Sequence, residues 1–326
     1  MGMRKTPQVA VILVCWNNRD LLDECLQSIY NQTYKNIRVV LADNGSTDDS
    51  VEHVRNNHKA VHVIDTGKNN GFAIGNNIGI KYAFKDKNCK YVALLNTDAR
   101  IANDWIETLV EFAEKHPKGA SFQTRTLDYY DHQTLDSKGL KIDQQGRAIQ
   151  LGYRDKNPKK LSDHKVFGTN LAAALISRQF LEAQPFGEEY FDTDLWMYLE
   201  DVDFAARSIV MGWDNWVVGK SRAYHMGSAS SSGNPGFSVF MTYRNNALVL
   251  YKNLPASTII RVLPGLIFTD LESLYRTFRG RNYTAFKAIV KGRFRSLSML
   301  FKFRNKRKLL QKYKAITNAE LWEIMK

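Results

Sequence analysis

Cysteine is scarce: three thiols, Cys15, Cys25 and Cys89, stand among 326 residues, each in or beside an apolar segment and without metal-ligand spacing. That excludes a disulfide scaffold or a cysteine zinc site and reads as buried thiols of a reducing compartment. No apolar run approaches the length of a membrane-spanning helix. The first eight residues, Met-Gly-Met-Arg-Lys-Thr-Pro-Gln, lack the apolar core of a signal peptide, so secretion is not expected. No Gly-x-Gly-x-x-Gly follows the first strand and no Gly-x-x-x-x-Gly-Lys-Ser/Thr occurs, which removes the dinucleotide and P-loop fingerprints. Net charge is also missing from most of the chain, residues 1–251 balancing 29 Lys and Arg with 29 Asp and Glu. Residues 252–326 carry 17 Lys and Arg against 4 Asp and Glu, which is the whole excess of +13.

What is present alternates strand and helix. Residues 9–15, 37–42, 61–64 and 91–95 are apolar and strand-like, while residues 21–29 and 104–115 show apolar stripes at helical spacing. Ser46 or Thr47 is placed to cap a helix that opens with two acids. This pattern predicts an α/β fold with a mostly parallel sheet covered on both faces. Length allows one large domain, residues 1–253, with a nucleotide-binding half to about 125 and an acceptor half after it, plus a helical appendage over 254–326. Glycines 71, 75 and 79 make a stripe that lets a helix approach the sheet, with helix packing and ligand approach both open readings.

Acids fall where strands end. Asp43 closes Val-Val-Leu-Ala-Asp, Asp98 closes Leu-Leu-Asn-Thr-Asp, and Glu200-Asp201 opens a helix ahead of His225. An acid directly after a buried strand is a solvated loop or a site for a cation or donor group, and such ends are where open α/β sheets bind ligands. Three in one chain favour an enzyme that holds a nucleotide diphosphate through a divalent metal and uses another carboxylate as base.

Five stretches in order, Val-Ala-Val-Ile-Leu-Val-Cys-Trp-Asn-Asn, Leu-Ala-Asp-Asn-Gly-Ser-Thr-Asp-Asp-Ser, Lys-Asn-Asn-Gly-Phe-Ala, Leu-Leu-Asn-Thr-Asp-Ala and Tyr-Leu-Glu-Asp-Val-Asp-Phe, resemble glycosyltransferase family 2. Within it they resemble the bacterial rhamnosyltransferase-like branch over roughly residues 8–250. The resemblance implies a GT-A fold, a nucleotide-sugar donor, Mg²⁺ or Mn²⁺, and inversion at the anomeric carbon. By position, Asp43 would meet the base, with Cys15, Trp16 and Asn17 at the end of the first strand and Asn70 and Gly71 nearby. Asp98 would be the last acid of the metal motif, whose first position is here Asn96, with Thr97 between them on the donor. His225 would be a second metal ligand; taken alone it reads as an ordinary hydrogen-bonded histidine. Asp201 would be the base and Glu200 would position the acceptor, while Asp203 reads as a helix N-terminal charge. Arg244 would meet the diphosphate, with a structural salt bridge as its rival role. Donor identity is expected to be dTDP-β-L-rhamnose, with UDP- and GDP-sugars as alternatives.

Less is legible elsewhere. Residues 126–165 suggest loops or a small hairpin over the acceptor side. Gly168 and Thr169 would line a sugar pocket or simply pack. Residues 228–236, rich in Ser and Gly, suggest a lid. The tail combines apolar positions at 3–4 spacing with basic ones, as in helices lying on an anionic membrane. The expectation is therefore a cytoplasmic, peripheral enzyme of cell-surface glycan synthesis acting on a lipid-linked or polysaccharide acceptor, its oligomeric state, homo-oligomer included, left open. A nucleic-acid-binding role for the tail is the non-enzymatic rival, though no recognisable nucleic-acid module is present.

Overall fold

The structure, a computed structural model, describes residues 6–157, 159–227 and 235–326. Its first half runs β1 (Gln8–Cys15), α1 (Arg19–Tyr30), β2 (Ile37–Asp43), α2 (Ser50–Asn57), β3 (Val61–Asp65), α3 (Gly71–Ala83), β4 (Cys89–Leu95), β5 (Ala99–Ile101) and α4 (Trp105–Lys115). The second half continues with β6 (Gly119–Asp128), β7 (Leu135–Ser137), β8 (Leu140–Ile142), β9 (Ala148–Gln150), β10 (His164–Val166), β11 (Ala173–Ser177), α5 (Arg178–Ala183), α6 (Glu200–Val210) and β12 (Asp214–His225). Four helices follow: α7 (Pro235–Asn253), α8 (Ala256–Arg279), α9 (Tyr283–Gln311) and α10 (Asn318–Ile324).

One sheet carries the strands in the order β10-β12-β6-β11-β4-β1-β2-β3, with β5 on β12 and β7 on β6. From β3 to β4 every pairing is parallel, as the βα alternation requires. β11 then lies antiparallel between β4 and β6, which makes the whole sheet mixed. Central strands are buried on both faces. In β1, Ala10 and Ile12 face the core under α3, α6 and α7, whereas Val9, Val11 and Leu13 face the core under α1 and α4.

The glycine stripe resolves by position. A methyl group at Gly79 would stand 2.5 Å from Ile12 Cγ2, and one at Gly75 2.8 Å from Val14 Cγ1, so these two are glycine because α3 lies against β1. Gly71 has a different reason: its φ is +80°, and a Cβ would meet the Trp196 carbonyl at 2.5 Å. Gly168 is likewise a packing glycine, its Cβ position 2.2 Å from Ala205 Cβ, and Thr169 is fully buried on the Ser121 hydroxyl. The expected cap of α2 differs. The helix starts at Ser50 behind Asp49, because the Ser46 hydroxyl is taken up by Asp43 and the Thr47 amide by Asn17.

The basic appendage packs on α6 and α7. Phe303 and Leu310 of α9 enter the same core as α6 and α7, and a side chain at Gly292 would collide with the Phe240 carbonyl at 2.7 Å. Its outer face stays apolar and open: Ile260, Ile267, Phe268, Leu271, Phe278, Phe294, Leu297 and Phe301 are all at least half exposed. Among the described residues no helix is long and apolar enough to cross a membrane.

Candidate active site

At the carboxyl ends of β1 and β2 the chain builds a hydrogen-bonded frame. Asp43 accepts from the Gly45 and Ser46 amides, each at 2.9 Å, and from the Ser46 hydroxyl at 2.5 Å. Asn17, left-handed at φ 54°, accepts the Thr47 N–H at 2.7 Å and donates its own amide to the Ser46 hydroxyl at 2.9 Å. Asn70 donates to Thr66 Oγ1 and to the Lys68 carbonyl, both at 3.0 Å. Cys15 lies buried with its sulfur 3.9 Å from Ser46 Oγ, and burial pushes its thiol up to about 11. A cleft of about 70 Å³ opens on this frame, with Trp16, Asn96, Thr97 and Asp98 in its walls. The sequence-predicted donor residues therefore divide: Trp16, Asn96 and Thr97 line the cleft, while Cys15, Asn17, Asp43, Asn70 and Gly71 shape it from behind.

Asn96, Asp98, Phe72 and Met197 also line a second, larger cavity of about 510 Å³. Register explains its acidic wall. β12 pairs with β5 so that His225 stands opposite Ala99, directly after Asp98, and with β6 so that it stands opposite Asp128. His225 Nε2 lies 3.3 Å from Asp98 Oδ1 and 3.3 Å from the Asn96 amide nitrogen, while Nδ1 lies 3.0 Å from Asp136 Oδ2. Burial alone would lower the imidazole's pKa, but its hydrogen bonds and charge interactions with Asp136 and Asp98 outweigh that and hold it at about 10. This wall thus draws positive charge to itself. A hard carboxylate oxygen beside an imidazole held from behind by a second carboxylate fits a divalent cation that takes the place of the imidazole's Nε2 proton.

Glu200 and Asp201, at the start of α6, line the same cavity. Burial raises both above the ordinary carboxylate range, and Glu200 is raised further by Asp201 beside it. Asp201 Oδ1 accepts the Val202 amide at 2.7 Å. Asp203 faces the other way, fully buried against Lys252 and Arg207.

The segment leading to this pair is strained. Trp196, Tyr198 and Leu199 are left-handed at φ 63°, 68° and 63°, a conformation that costs side-chain-bearing residues about 1–2 kcal/mol each. Two side chains of α7 hold it. Asn245, fully buried, donates to the carbonyls of Leu195, Met197 and Tyr198 at 3.0, 2.9 and 2.7 Å. Arg244 donates to the carbonyls of Asp194 and Leu195 at 3.2 and 2.7 Å. Arg244 is accordingly engaged with main chain and with Asn245 Oδ1 rather than with the cavity, and the arginine among the described lining residues is Arg154.

Sequence reasoning missed Asp136, Arg154 and Asn245. Asp136 and Arg154 sit in the stretch without periodicity, where a hairpin (β8–β9) does form, and no spacing signals their convergence on His225 and the cavity. Asn245 adjoins Arg244, which was singled out for a ligand rather than for its neighbour's main-chain role. The expected lid falls mainly on residues 228–234, outside the described residues.

The family profile "Glycosyl transferase family 2" matches residues 10–182. Glycosyltransferase GlyA of Streptococcus pneumoniae is 26% identical over 213 residues, which is 62% of this chain and 30% of that protein. The chain spans about a third of the length of the curated relatives it matches. Among solved structures, the mannosyltransferase PcManGT of Pyrobaculum calidifontis with GDP-Man and Mn²⁺ superposes with a TM-score of 0.55 at 16% identity, covering 98% of this chain and 88% of that one. GalNAc-T7 with UDP, GalNAc and Mn²⁺ superposes at 0.61 and 16% identity, covering 93% of this chain and 54% of that one. Both share the α/β architecture described above.

Proposed function

From a chain that belongs to glycosyl transferase family 2, we infer an inverting transferase that moves a sugar from a nucleotide diphosphate onto an acceptor hydroxyl. One observation carries this reading: the strand-end cleft and the larger cavity meet at Asn96 and Asp98, and the cavity is lined both by the Asp98–His225–Asp136 group and by the raised carboxylate pair Glu200 and Asp201. Relatives of the same fold bind a nucleotide or nucleotide sugar with Mn²⁺. In this reading the nucleotide lies in the cleft and the acceptor enters the cavity from the β8–β9 side.

Asp98 and His225 would hold Mg²⁺ or Mn²⁺, which supplies charge neutralisation for the departing diphosphate. Asp201 has one oxygen committed to the Val202 amide and the other free of that bond for the acceptor hydroxyl. It takes the hydroxyl proton as the oxygen bonds to the anomeric carbon and the bond to the diphosphate breaks. Glu200, protonated at neutral pH, donates a hydrogen bond to the acceptor and leaves Asp201 the ionised member of the pair. Asn17 and Asp43 act by shaping the cleft.

The donor we assign is dTDP-β-L-rhamnose, on the resemblance of the five motifs to the rhamnosyltransferase-like branch. The acceptor is a lipid-linked or polysaccharide glycan, and the outer face of α8 and α9 supports membrane docking. Exposed Phe294 and Phe301 there stand among Lys291, Arg295, Lys302 and Arg304, basic residues each worth about 1 kcal/mol near an anionic surface. Thermal stabilisation by a panel of dTDP-, UDP- and GDP-sugars, with Mn²⁺ and with chelator, tests the reading, because a ligand that binds only the folded state raises its apparent stability. One base type should dominate and chelation should reduce the shift; no shift with any nucleotide sugar would overturn it.

A further inference from the structure

A second constellation lies outside the cavity, on the helices that flank the nucleotide cleft. Asp23 of α1, His53 of α2 and His58, the residue after α2, bring one ligand atom each to within 4.8 Å of one another. Asp23 Oδ1 is 2.6 Å from His53 Nε2 and 2.8 Å from His58 Nε2. Both rings thus present the same nitrogen to one carboxylate oxygen. The other carboxylate oxygen lies 3.4 Å from Arg19 Nη1.

The outer nitrogens are also provided for. His53 Nδ1 meets the Asn57 side-chain amide at 3.0 Å, and His58 Nδ1 meets the Tyr30 hydroxyl at 3.2 Å. The Tyr30 hydroxyl accepts by rotating and so supports the His58 tautomer that carries its proton on Nδ1, while Asn57 supports the same tautomer of His53 only by flipping and giving up its bond to the His53 carbonyl at 3.1 Å. That tautomer leaves the two Nε2 lone pairs and the Asp23 oxygen facing one point. Histidines oriented from behind in this way are a recurring feature of metal sites.

We propose that Asp23, His53 and His58 form a second divalent-metal site, selective for Zn²⁺ over Mg²⁺, that ties α1 to α2 beside the nucleotide cleft. Two imidazoles and one carboxylate are the donor types zinc accepts in three-residue sites, with water in the fourth position. The present spacings are tighter than the edges of a zinc tetrahedron, about 3.3 Å, so the donors would open by roughly 0.5–0.7 Å. The half-exposed Asp23 side chain has room for that movement. The ion's role is structural: the loop it braces, residues 44–49, is joined to α1 through the Arg19 amide on Asp48 at 3.2 Å and the Thr47 amide on Asn17.

The test needs no nucleotide sugar. The full chain carrying Asp98→Asn, which removes the carboxylate beside His225 Nε2 in the cavity, is titrated with Zn²⁺ alone by calorimetry and with Co²⁺ by visible absorption. The expected result is one tight equivalent and an intense four-coordinate Co²⁺ spectrum. Adding His53→Gln and His58→Gln should abolish both, and Asp23→Asn should weaken binding at least tenfold, with circular dichroism showing each variant folded. Equal binding with and without the three side chains, or only a faint six-coordinate Co²⁺ spectrum, would overturn the proposal. Neither result bears on the transferase reading, which rests on the cavity.

Discussion

Replacing Asn245 by alanine removes the side chain that gathers the carbonyls of Leu195, Met197 and Tyr198. The amide has two hydrogens for three acceptors, so two carbonyls at a time are left without a partner, at roughly 1–3 kcal/mol each. A stability loss of roughly 2–6 kcal/mol follows. The strain held by the clamp is of the same size, since three left-handed residues at about 1–2 kcal/mol each amount to roughly 3–6 kcal/mol. Without the clamp the segment relaxes and carries Glu200 and Asp201 out of place. A displacement of about 1 Å in a reacting group can cost on the order of 100-fold in rate. We therefore expect kcat to fall at least tenfold with a smaller loss of donor affinity, because the strand-end frame keeps its own hydrogen bonds and, of the moving segment, Met197 lines the cleft. Urea unfolding and steady-state kinetics under saturating donor measure the two effects. A variant that loses the stability and keeps kcat would refute a positioning role and leave Asn245 a purely structural residue.

Asp136→Asn removes a charge from behind His225 and should raise the Mn²⁺ concentration needed for half-maximal activity by about 10–100-fold, read from a metal titration. Glu200 and Asp201 bind protons more tightly folded than unfolded, so their contribution to stability is present at low pH. It is lost as pH rises from the ordinary carboxylate range toward the raised values. Glu200→Gln should accordingly raise Tm more at pH 8 than at pH 5, and a larger gain at pH 5 would contradict the assignment. Gly79→Ala drives a methyl into Ile12 and should destabilise by about 1–3 kcal/mol in chemical unfolding. Phe294→Ser with Phe301→Ser removes two exposed rings, each worth about 1.5–3 kcal/mol if buried, and should reduce co-sedimentation with anionic vesicles more than tenfold. Unchanged sedimentation, or tight binding to duplex DNA instead, would count against membrane docking.

Local pattern carried the first half of the fold into view. Apolar β-branched runs ending in Asp43 and Asp98 are strands because a strand buried on both faces sheds its charges until it reaches the sheet edge. Gly75 and Gly79 sit four residues apart for close approach to β1, and that too is a local signal. The antiparallel insertion of β11 was not legible, since an apolar run does not say which way its strand points. The site divides in the same manner. Asp98, His225, Glu200 and Asp201 were found and do line one cavity. Asp136 and Asn245 were not, because each acts through contacts between segments some 50–90 residues apart, at separations no periodicity encodes. Arg244 shows the converse: a basic residue in a suggestive motif, whose guanidinium the fold spends on two carbonyls.

The central claim is that Asp201 takes the proton of the attacking hydroxyl opposite a diphosphate held at Asp98 and His225. Asp201→Asn, assayed side by side for donor binding by calorimetry with Mn²⁺ and for sugar transfer in a single turnover, tests it most directly. The account predicts that binding persists and that transfer slows by at least about 100-fold, the usual range for losing a general base. Transfer at the wild-type rate, or loss of donor binding together with transfer, would contradict it.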